Sequence, residues 1–307
     1  MRKGRASNTA QFVAFNRALG DLSPEIEGFS DPIAARLLPP KWTRRVARAQ
    51  RRLPRSPLPF WMRGMALFNQ FRTVVLDRAV LAALPFDQLV ILGAGLDGRA
   101  FRLEGLRDAT VYEVDHPSTQ RTKQERTTPL SPLAKAVRFV PVDFTVDDLS
   151  ARLAEAGFDP LRKTFWLWEG VTMYLEAADV QKTLSTLARL SAPGSRVALT
   201  YMGKTPLRLT TRVFLVFFGL MTGEPMRSSF TAGDLQALAG AAGWDKLANT
   251  GIEEWKPALA PKLVLTARQV GLQWNERIWV GARPPEPASH RGVLQADAGR
   301  KSPMATP

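Results

Sequence analysis

The chain has 307 residues, 45% of them hydrophobic and 23% charged, a composition that provides for a large buried core and excludes disordered, collagen-like and coiled-coil proteins. Cysteine is absent and histidine occurs only at positions 116 and 290, which argues against thiolate metal sites, cysteine nucleophiles and zinc hydrolases. The formal net charge of +14 divides into +10 for residues 1–85, −1 for residues 86–201 and +5 for residues 202–307. We therefore expect the flanks, rather than the central region, to meet polyanions.

Residues 1–85 are predicted to form a basic, helical N-terminal extension that includes a lid. Within it, residues 41–63 contain eight basic residues and no acidic one. A helix over residues 42–53 would place its apolar side chains on one face and most of its arginines elsewhere. Two roles remain open for this helix: peripheral contact with an acidic membrane surface or partner, or a basic surface helix of the substrate lid.

Five apolar runs in the central region predict strands, at Gln88–Leu92, Thr110–Val114, Val137–Val142, Thr164–Trp168 and Arg196–Tyr201. A glycine turn follows the first run and leads into a segment that can be helical, and helical spacing recurs over residues 147–156 and 179–190. Strands that alternate with helices in this way predict an α/β fold with a doubly wound, parallel sheet covered on both faces.

The ends of these strands carry the candidate binding residues. Gly93 follows the first strand, and Asp115, Asp143 and Glu169 follow the second, third and fourth. Ligands of doubly wound sheets bind beyond the carboxyl ends of the strands, so we expect these four residues to border one site.

The remaining chain is predicted to complete a core domain over residues 86–282, with a cap insertion near residues 203–230, a helix over residues 231–242 and a last strand over residues 277–282. Residues 283–307 are rich in Pro, Ala, Gly and Ser and predict a disordered tail. The longest apolar cluster, over residues 213–221, is about half of the ~20 residues that a membrane-spanning helix needs. The N-terminus lacks the apolar core of a signal peptide, which predicts a cytoplasmic protein.

The turn Gly93-Ala94-Gly95 opens a G-x-G-x-x-G pattern that ends at Gly98. Asp115 follows Gly95 by 20 residues, at the end of the next strand, where a carboxylate can accept hydrogen bonds from a ribose diol. The pattern indicates a cofactor that contains adenosine and leaves open a nicotinamide dinucleotide or S-adenosylmethionine. Asp143 and Glu169 add two acids to the rim, which favours the cationic S-adenosylmethionine over a diphosphate.

Four phrases of the core resemble the leucine carboxyl methyltransferase type of S-adenosylmethionine-dependent methyltransferase, in particular its bacterial branch. They are VILGAGLDGRAFRL at 90–103, YEVDHPSTQ at 112–120, FVPVDF at 139–144 and WEGVTMYL at 168–175. The resemblance covers residues 90–201 densely and extends more weakly to both sides. It implies a Rossmann-like class I methyltransferase sheet with S-adenosylmethionine as cofactor and no metal.

The resemblance also implies a role for individual residues. Gly93, Ala94 and Gly95 would lie under the methionine part of the cofactor, and Asp115 would hold the ribose. The other implied contacts are Asp143 and Phe144 to the adenine, Glu169 to the methionine ammonium and Arg72 to the methionine carboxylate. Gly98 departs from the threonine, alanine or serine usual in the family, and we expect a looser loop there.

The sequence does not identify the methyl acceptor. A carboxylate acceptor needs no general base, which agrees with a chain so poor in histidine and predicts O- or carboxyl-methylation of a small or lipophilic molecule. Tyr174 and Tyr201 are candidate residues on the acceptor side. Two alternatives are carried forward: an NAD(P)-dependent oxidoreductase, and a basic methyltransferase associated with nucleic acid. Specific nucleic-acid recognition is not expected, since basic charge alone confers no specificity.

Overall fold

The computed structural model describes residues 7–53, 56–144, 146–204, 225–266 and 275–285. Seven strands form one sheet, in the order β3-β2-β1-β4-β5-β7-β6. Their bounds are β1 Gln88–Leu92, β2 Thr110–Asp115, β3 Ala136–Pro141, β4 Thr164–Trp168, β5 Arg196–Met202, β6 Asp245–Thr250 and β7 Glu276–Ala282. Strands β1 to β5 run parallel, whereas β7 is antiparallel to both β5 and β6.

The helices of the described ranges divide into an N-terminal group and a group that alternates with the strands. The first group is α1 Asn8–Leu22, α2 Ala34–Leu37, α3 Pro40–Arg52 and α4 Phe60–Leu81. The second is α5 Pro117–Thr127, α6 Leu149–Glu155, α7 Ala177–Arg189, α8 Ala232–Ala241 and α9 Ile252–Leu259. No helix within these ranges has both the length and the hydropathy that crossing a bilayer requires.

The sheet separates two hydrophobic cores because successive side chains of a strand point to opposite faces. In β1, Leu89 and Ile91 belong to the core that α1, α2, α4 and α9 cover, and Val90 and Leu92 belong to the core under α6, α7 and α8. All five β1 residues are buried, as expected for a strand with both faces covered. The predicted doubly wound α/β fold is confirmed.

Local signals in the sequence fix several helix starts. Thr231 and Asp234 form a capping box at α8, with the Thr231 hydroxyl accepting from the Asp234 N–H at 3.0 Å. Ser7 caps α1 by accepting from the Ala10 N–H at 3.1 Å. Asp148, rather than the rim residue Asp143, caps α6.

Two parts of the fold differ from the sequence-based expectation, and a third lies outside the described residues. The segment after the glycine turn forms two short 3₁₀ turns, Arg99–Phe101 and Glu104–Leu106, instead of an α-helix. Strand β6 and helix α9 lie in a stretch for which the sequence predicted no element. Most of the predicted cap insertion, residues 205–224, and most of the predicted tail, residues 286–307, lie outside the described residues.

Candidate functional site

The glycine turn after β1 adopts the left-handed conformation at two positions, with φ of 66° at Gly93 and 51° at Gly95. The Ala94 N–H between them donates to the Val114 carbonyl of β2 at 3.0 Å, which ties the turn to the next strand. A Cβ at Gly93 would lie 2.5 Å from Val171 Cγ2. The absent side chain at Gly93 therefore also lets the loop after β4 approach the turn.

Helix α1 lies over the same turn. A Cβ at Gly95 would lie 2.9 Å from the Cβ of Ala10 in the first turn of α1. The Ser7 N–H, at the start of that helix, donates to the Thr119 hydroxyl of α5 at 3.3 Å. The N-terminal segment thus borders the candidate cofactor site.

Gly98 is packed more tightly than the sequence suggested. A Cβ there would lie 3.0 Å from Ile33 and 3.2 Å from the Asp31 carboxylate. The expectation of a looser loop at Gly98 is wrong, because the segment before α2 fills the space that a larger residue would occupy.

Asp115, at the end of β2, is oriented by two backbone amides. One carboxylate oxygen accepts from the Gly95 N–H at 2.5 Å and the other from the His116 N–H at 2.6 Å. Burial raises the pKa of Asp115, and the hydrogen bonds from Gly95 and His116 oppose that rise. Each oxygen keeps a second lone pair, so the carboxylate can still accept two hydroxyl groups.

Glu169, directly after β4, lies between two buried arginines. Its Oε1 is 2.9 Å from Arg72 Nε, and its Oε2 accepts from Arg99 Nη1 at 2.7 Å. Arg72 also donates to Glu276 at 3.0 Å and to Asn69 at 3.2 Å. Two of the residues that the sequence assigned to one ligand, Arg72 and Glu169, are thus brought into direct contact.

These contacts determine the ionisation of the site. Burial alone would raise the pKa of Glu169, but the charges of Arg99 and Arg72 outweigh it and lower that pKa to about 2. Burial lowers the pKa of Arg72, and the carboxylates of Glu276 and Glu169 more than restore it, so the net shift is upward. Glu169 is therefore an anion, and Arg72 a cation, throughout the physiological pH range.

Arg99 is a site residue that the sequence reasoning missed. Its side chain is fully buried and contacts three carboxylates: Asp77 at 2.7 Å, Glu169 at 2.7 Å, and Asp97. The signal in the sequence was its position one residue after the glycine pattern, within LDGR. Without the fold, nothing marked it among the 42 basic residues.

Arg99 is the centre of a continuous chain of ion pairs that crosses the N-terminal helices. The chain contains four guanidinium groups and five carboxylates, and none of the nine side chains is more than 14% exposed. Its members, in order of contact, are Arg17, Asp31, Arg102, Asp77, Arg99 with Asp97, Glu169, Arg72 and Glu276. The buried cluster has one formal negative charge in excess, which a cationic ligand would neutralise.

Among the described residues, six buried polar atoms of this cluster lack a well-aligned hydrogen bond, and three of them belong to Glu169 and the two arginines that contact it. Within the described residues, Glu169 Oε1, Arg72 Nε and Arg99 Nη2 make no well-aligned hydrogen bond, although the first two are within ion-pair distance of each other. The carboxylate oxygen of Glu169 can accept hydrogen bonds from an ammonium group, and the two guanidinium nitrogens can donate to a carboxylate. The donor set therefore fits the amino-acid end of S-adenosylmethionine.

The adenine-side candidates lie beyond β3. The Asp143 carboxylate is 3.8 Å from His116 Nε2, which brings the ends of β2 and β3 together. The Asp143 N–H donates to Asp147 at 2.8 Å, and the ring of Phe144 is 51% exposed. An exposed ring beside a carboxylate can cover one face of a purine while the acid accepts from its amino group.

The two tyrosines assigned to the acceptor side are placed differently. Tyr174 ends a 3₁₀ turn, Thr172–Tyr174, in the loop after β4 and is half-buried. Tyr201 is fully buried in β5, and its hydroxyl donates to Asn249 of β6 at 3.0 Å. Burial raises the pKa of Tyr201, so the phenol stays neutral. Tyr201 therefore joins β5 to β6 across β7.

The family model for leucine carboxyl methyltransferase matches residues 10–188, which include the glycine turn, Asp115, Arg99 and Glu169. The chain belongs to the leucine carboxyl methyltransferase family. The resemblance expected from the sequence is confirmed, and it extends into the N-terminal helices that hold Arg17 and Arg72.

Several similar proteins carry the name "Putative S-adenosyl-L-methionine-dependent methyltransferase". One from Mycobacteroides abscessus is 33% identical over 231 residues, covering 70% of this chain and 71% of the relative. One from Mycolicibacterium smegmatis is 46% identical over 125 residues, covering 40% of this chain and 39% of the relative. Five such relatives are matched over only 39% to 50% of their own length.

Two solved structures share the fold over almost the whole chain. A putative methyltransferase from Thermobifida fusca has a TM-score of 0.55 at 14% identity, covering 92% of this chain and 97% of that one. A duf574 family protein from Streptomyces avermitilis has a TM-score of 0.54 at 13% identity, covering 91% and 98%. At this identity the likeness concerns the fold alone.

Proposed function

We propose that this chain is an S-adenosylmethionine-dependent methyltransferase that methylates an oxygen nucleophile, most readily a carboxylate, on a small or lipophilic acceptor. The observation that carries the proposal is the excess negative charge of the buried ion-pair cluster beside the glycine turn. S-adenosylmethionine carries an ammonium, a sulfonium and one carboxylate, so its net charge of +1 complements that excess. A dinucleotide, with its negative pyrophosphate, would add to it.

Each rim residue then has a distinct task in binding. Glu169 receives the ammonium on Oε1, and Arg72 provides the cation for the carboxylate. Asp115 accepts from the ribose hydroxyls with the lone pairs that Gly95 and His116 leave available. Gly93 and Ala94 give the ligand access to the backbone, and Asp143 with Phe144 borders the purine.

The bound cofactor supplies an electrophilic methyl group on a sulfonium. The protein's contribution is to hold an acceptor oxygen in line with that group and to exclude water. A carboxylate arrives already ionised, so no side chain needs to remove a proton. Such an acceptor is supported by the state of two side chains that could otherwise act as a base, because both are engaged in structural hydrogen bonds. His116 Nδ1 caps α5 by accepting from the Ser118 N–H, and the Tyr201 hydroxyl donates to Asn249.

The cofactor assignment is tested by titrating S-adenosylhomocysteine into the protein and three variants by calorimetry. Glu169→Gln and Asp115→Asn keep the shape of each side chain and remove its charge, and each should weaken binding by at least about ten-fold, as is typical for hydrogen bonds to charged groups. Glu155→Gln is the matched control, since Glu155 is 64% exposed on α6. Equal affinity of all four proteins would refute the proposed site.

The acceptor class is tested with ligands that differ only in the nucleophile, for example octanoic acid, octanol and octylamine. Formation of S-adenosylhomocysteine with the acid alone, together with a base-labile methyl ester, is the expected result. Turnover of the amine or the alcohol in preference to the acid would contradict the carboxylate assignment without affecting the cofactor site.

A further inference from the structure

Helix α3 carries a cationic surface that the candidate site does not use. The six basic side chains of the helix are all exposed: Lys41, Arg44, Arg45, Arg48, Arg51 and Arg52. Within the described ranges, none of the six is paired with a carboxylate. Exposed arginines elsewhere do find acidic partners, such as Arg152 with Asp147 and Arg162 with Asp159.

The orientation of α3 is fixed by its apolar side. Val46 is buried, the Trp42 ring lies 4.7 Å from the Phe15 ring of α1, and the Trp42 indole N–H donates to Gln11 at 3.1 Å. At about 100° per residue, Trp42, Val46 and Ala49 fall within an arc of about 60°. The apolar stripe that the sequence offered for membrane insertion is thus occupied by α1.

The same geometry gathers the cations into one stripe. All six fall within an arc of about 120° on the flank of α3, over a length of about 16 Å from Lys41 to Arg52. Arg45 also lies over the Trp42 ring, 4.6 Å from its centroid. A single dense stripe of like charge without counter-charges destabilises the free protein slightly and complements an anionic surface.

Two exposed aromatic side chains follow this stripe in the chain. Phe60 and Trp61, in the first turn of α4, are 53% and 54% exposed. Residues 53–59 alone separate them from α3, and the Ser56 N–H donates back to the Arg52 carbonyl at 2.8 Å. A polybasic helix followed closely in the chain by exposed aromatics is a combination that suits the interface of anionic bilayers.

We propose that the α3 stripe, together with Phe60 and Trp61, docks the protein on the surface of an anionic lipid bilayer. The cations provide the attraction to acidic headgroups, and the two aromatic rings enter the interfacial layer. Because α4 is continuous from Phe60 to Arg72, twelve residues or about 18 Å further on, docking would bring the candidate site close to the lipid. The proposal concerns binding alone and stands or falls independently of the proposed methyl transfer.

The test measures binding of the full-length protein to vesicles by flotation, without cofactor. Vesicles of phosphatidylcholine alone are compared with vesicles that contain about one third phosphatidylglycerol. We expect binding to the anionic vesicles only, and loss of binding as NaCl rises from about 0.05 to 0.5 M. Equal binding to both vesicles, or none to either, would overturn the proposal.

Variants assign the binding to the stripe. Each cation near an anionic leaflet strengthens partitioning by roughly five-fold, so replacing four arginines with glutamine should weaken it by at least about 100-fold. The stripe variant is Arg44→Gln/Arg48→Gln/Arg51→Gln/Arg52→Gln, and the charge-matched control is Arg107→Gln/Arg138→Gln/Arg162→Gln/Arg189→Gln. We expect the control to stay within about three-fold of the wild type. An equal loss of vesicle binding in the stripe variant and the control would show that only the net charge matters, and would overturn the proposal.

A third variant and a competing ligand complete the test. Phe60→Ala/Trp61→Ala should weaken binding by about ten-fold while keeping its salt dependence, because the rings contribute burial and not charge. Circular dichroism checks that each variant is folded. Tight binding to a single-stranded RNA, in the absence of vesicle binding, would assign the stripe to nucleic acid and overturn the membrane proposal.

Discussion

Replacing Arg99 with methionine should destabilise the fold severely, because this guanidinium neutralises three buried carboxylates. Removing one partner of a buried ion pair typically costs about 3 to 5 kcal/mol. The pKa of Glu169 points in the same direction, because the charges of Arg99 and Arg72 lower it although burial alone would raise it. We therefore expect a loss of about 3 kcal/mol or more.

The loss should be visible in thermal unfolding. At an entropy of about 2.1 cal/mol/K per residue, a chain of this length unfolds with about 0.6 kcal/mol/K, so the melting temperature should fall by about 5 to 8 °C at pH 7. Arg107→Met is the control, since Arg107 is 69% exposed and pairs with the exposed Glu104. The control should change the melting temperature by less than about 1 °C.

The difference in free energy of unfolding between the wild type and Arg99→Met should also decrease as the pH falls. A carboxylate whose pKa is lowered on folding contributes stability above its unfolded pKa and loses that contribution as the pH falls toward its folded pKa. Below about pH 4.5 the wild type therefore loses the stabilisation of Glu169, whereas Arg99→Met has already lost the part that Arg99 contributes. The gap between the two proteins should narrow as the pH falls from about 4.5 toward 2. A loss below about 1 kcal/mol, or a gap independent of pH, would refute the account of the cluster.

Two further substitutions, Gly93→Ala with Gly157→Ala as its control and Tyr201→Phe, separate binding from structure. Gly93→Ala should lower the free energy of unfolding by about 1 to 3 kcal/mol and abolish binding of S-adenosylhomocysteine, because φ is 66° and the new Cβ would lie 2.5 Å from Val171. The control is Gly157→Ala, where φ is 84° and no atom lies within 4 Å of the new Cβ. It should cost only about 1 kcal/mol and leave binding unchanged. Tyr201→Phe should lower the free energy of unfolding, measured by chemical denaturation, by about 1 kcal/mol, because the hydrogen bond to Asn249 is lost. An unchanged affinity for S-adenosylhomocysteine would agree with a structural role. A selective loss of turnover would instead assign Tyr201 to the acceptor side.

The parallel strands could be predicted from the sequence because each is a short apolar run, and the first four are followed by a glycine or an acid. Gln88–Leu92 and Thr164–Trp168 are found with the predicted bounds. Strand β6 could not be predicted, because Asp245–Thr250 is a polar edge strand without an alternation of apolar and polar residues. It forms through its pairing with β7. Local pattern identifies strands that are buried on both faces and misses those that tertiary pairing stabilises.

The candidate site divides in the same way. Gly93, Asp115 and Glu169 were predictable because each follows a strand, and the carboxyl ends of parallel strands lie at one edge. The ion-pair cluster was not predictable, because its partners are distant in sequence. Arg72, for example, contacts Glu276, which is 204 residues away. No residue pattern encodes such a pair before the fold brings it together.

The most direct test of the central claim is calorimetric titration of the wild-type protein with S-adenosylmethionine and, separately, with NADPH. We expect saturable binding of one S-adenosylmethionine per chain and no detectable binding of NADPH, because the buried cluster carries an excess negative charge. Binding of NADPH alone would contradict the account and bring the oxidoreductase alternative forward.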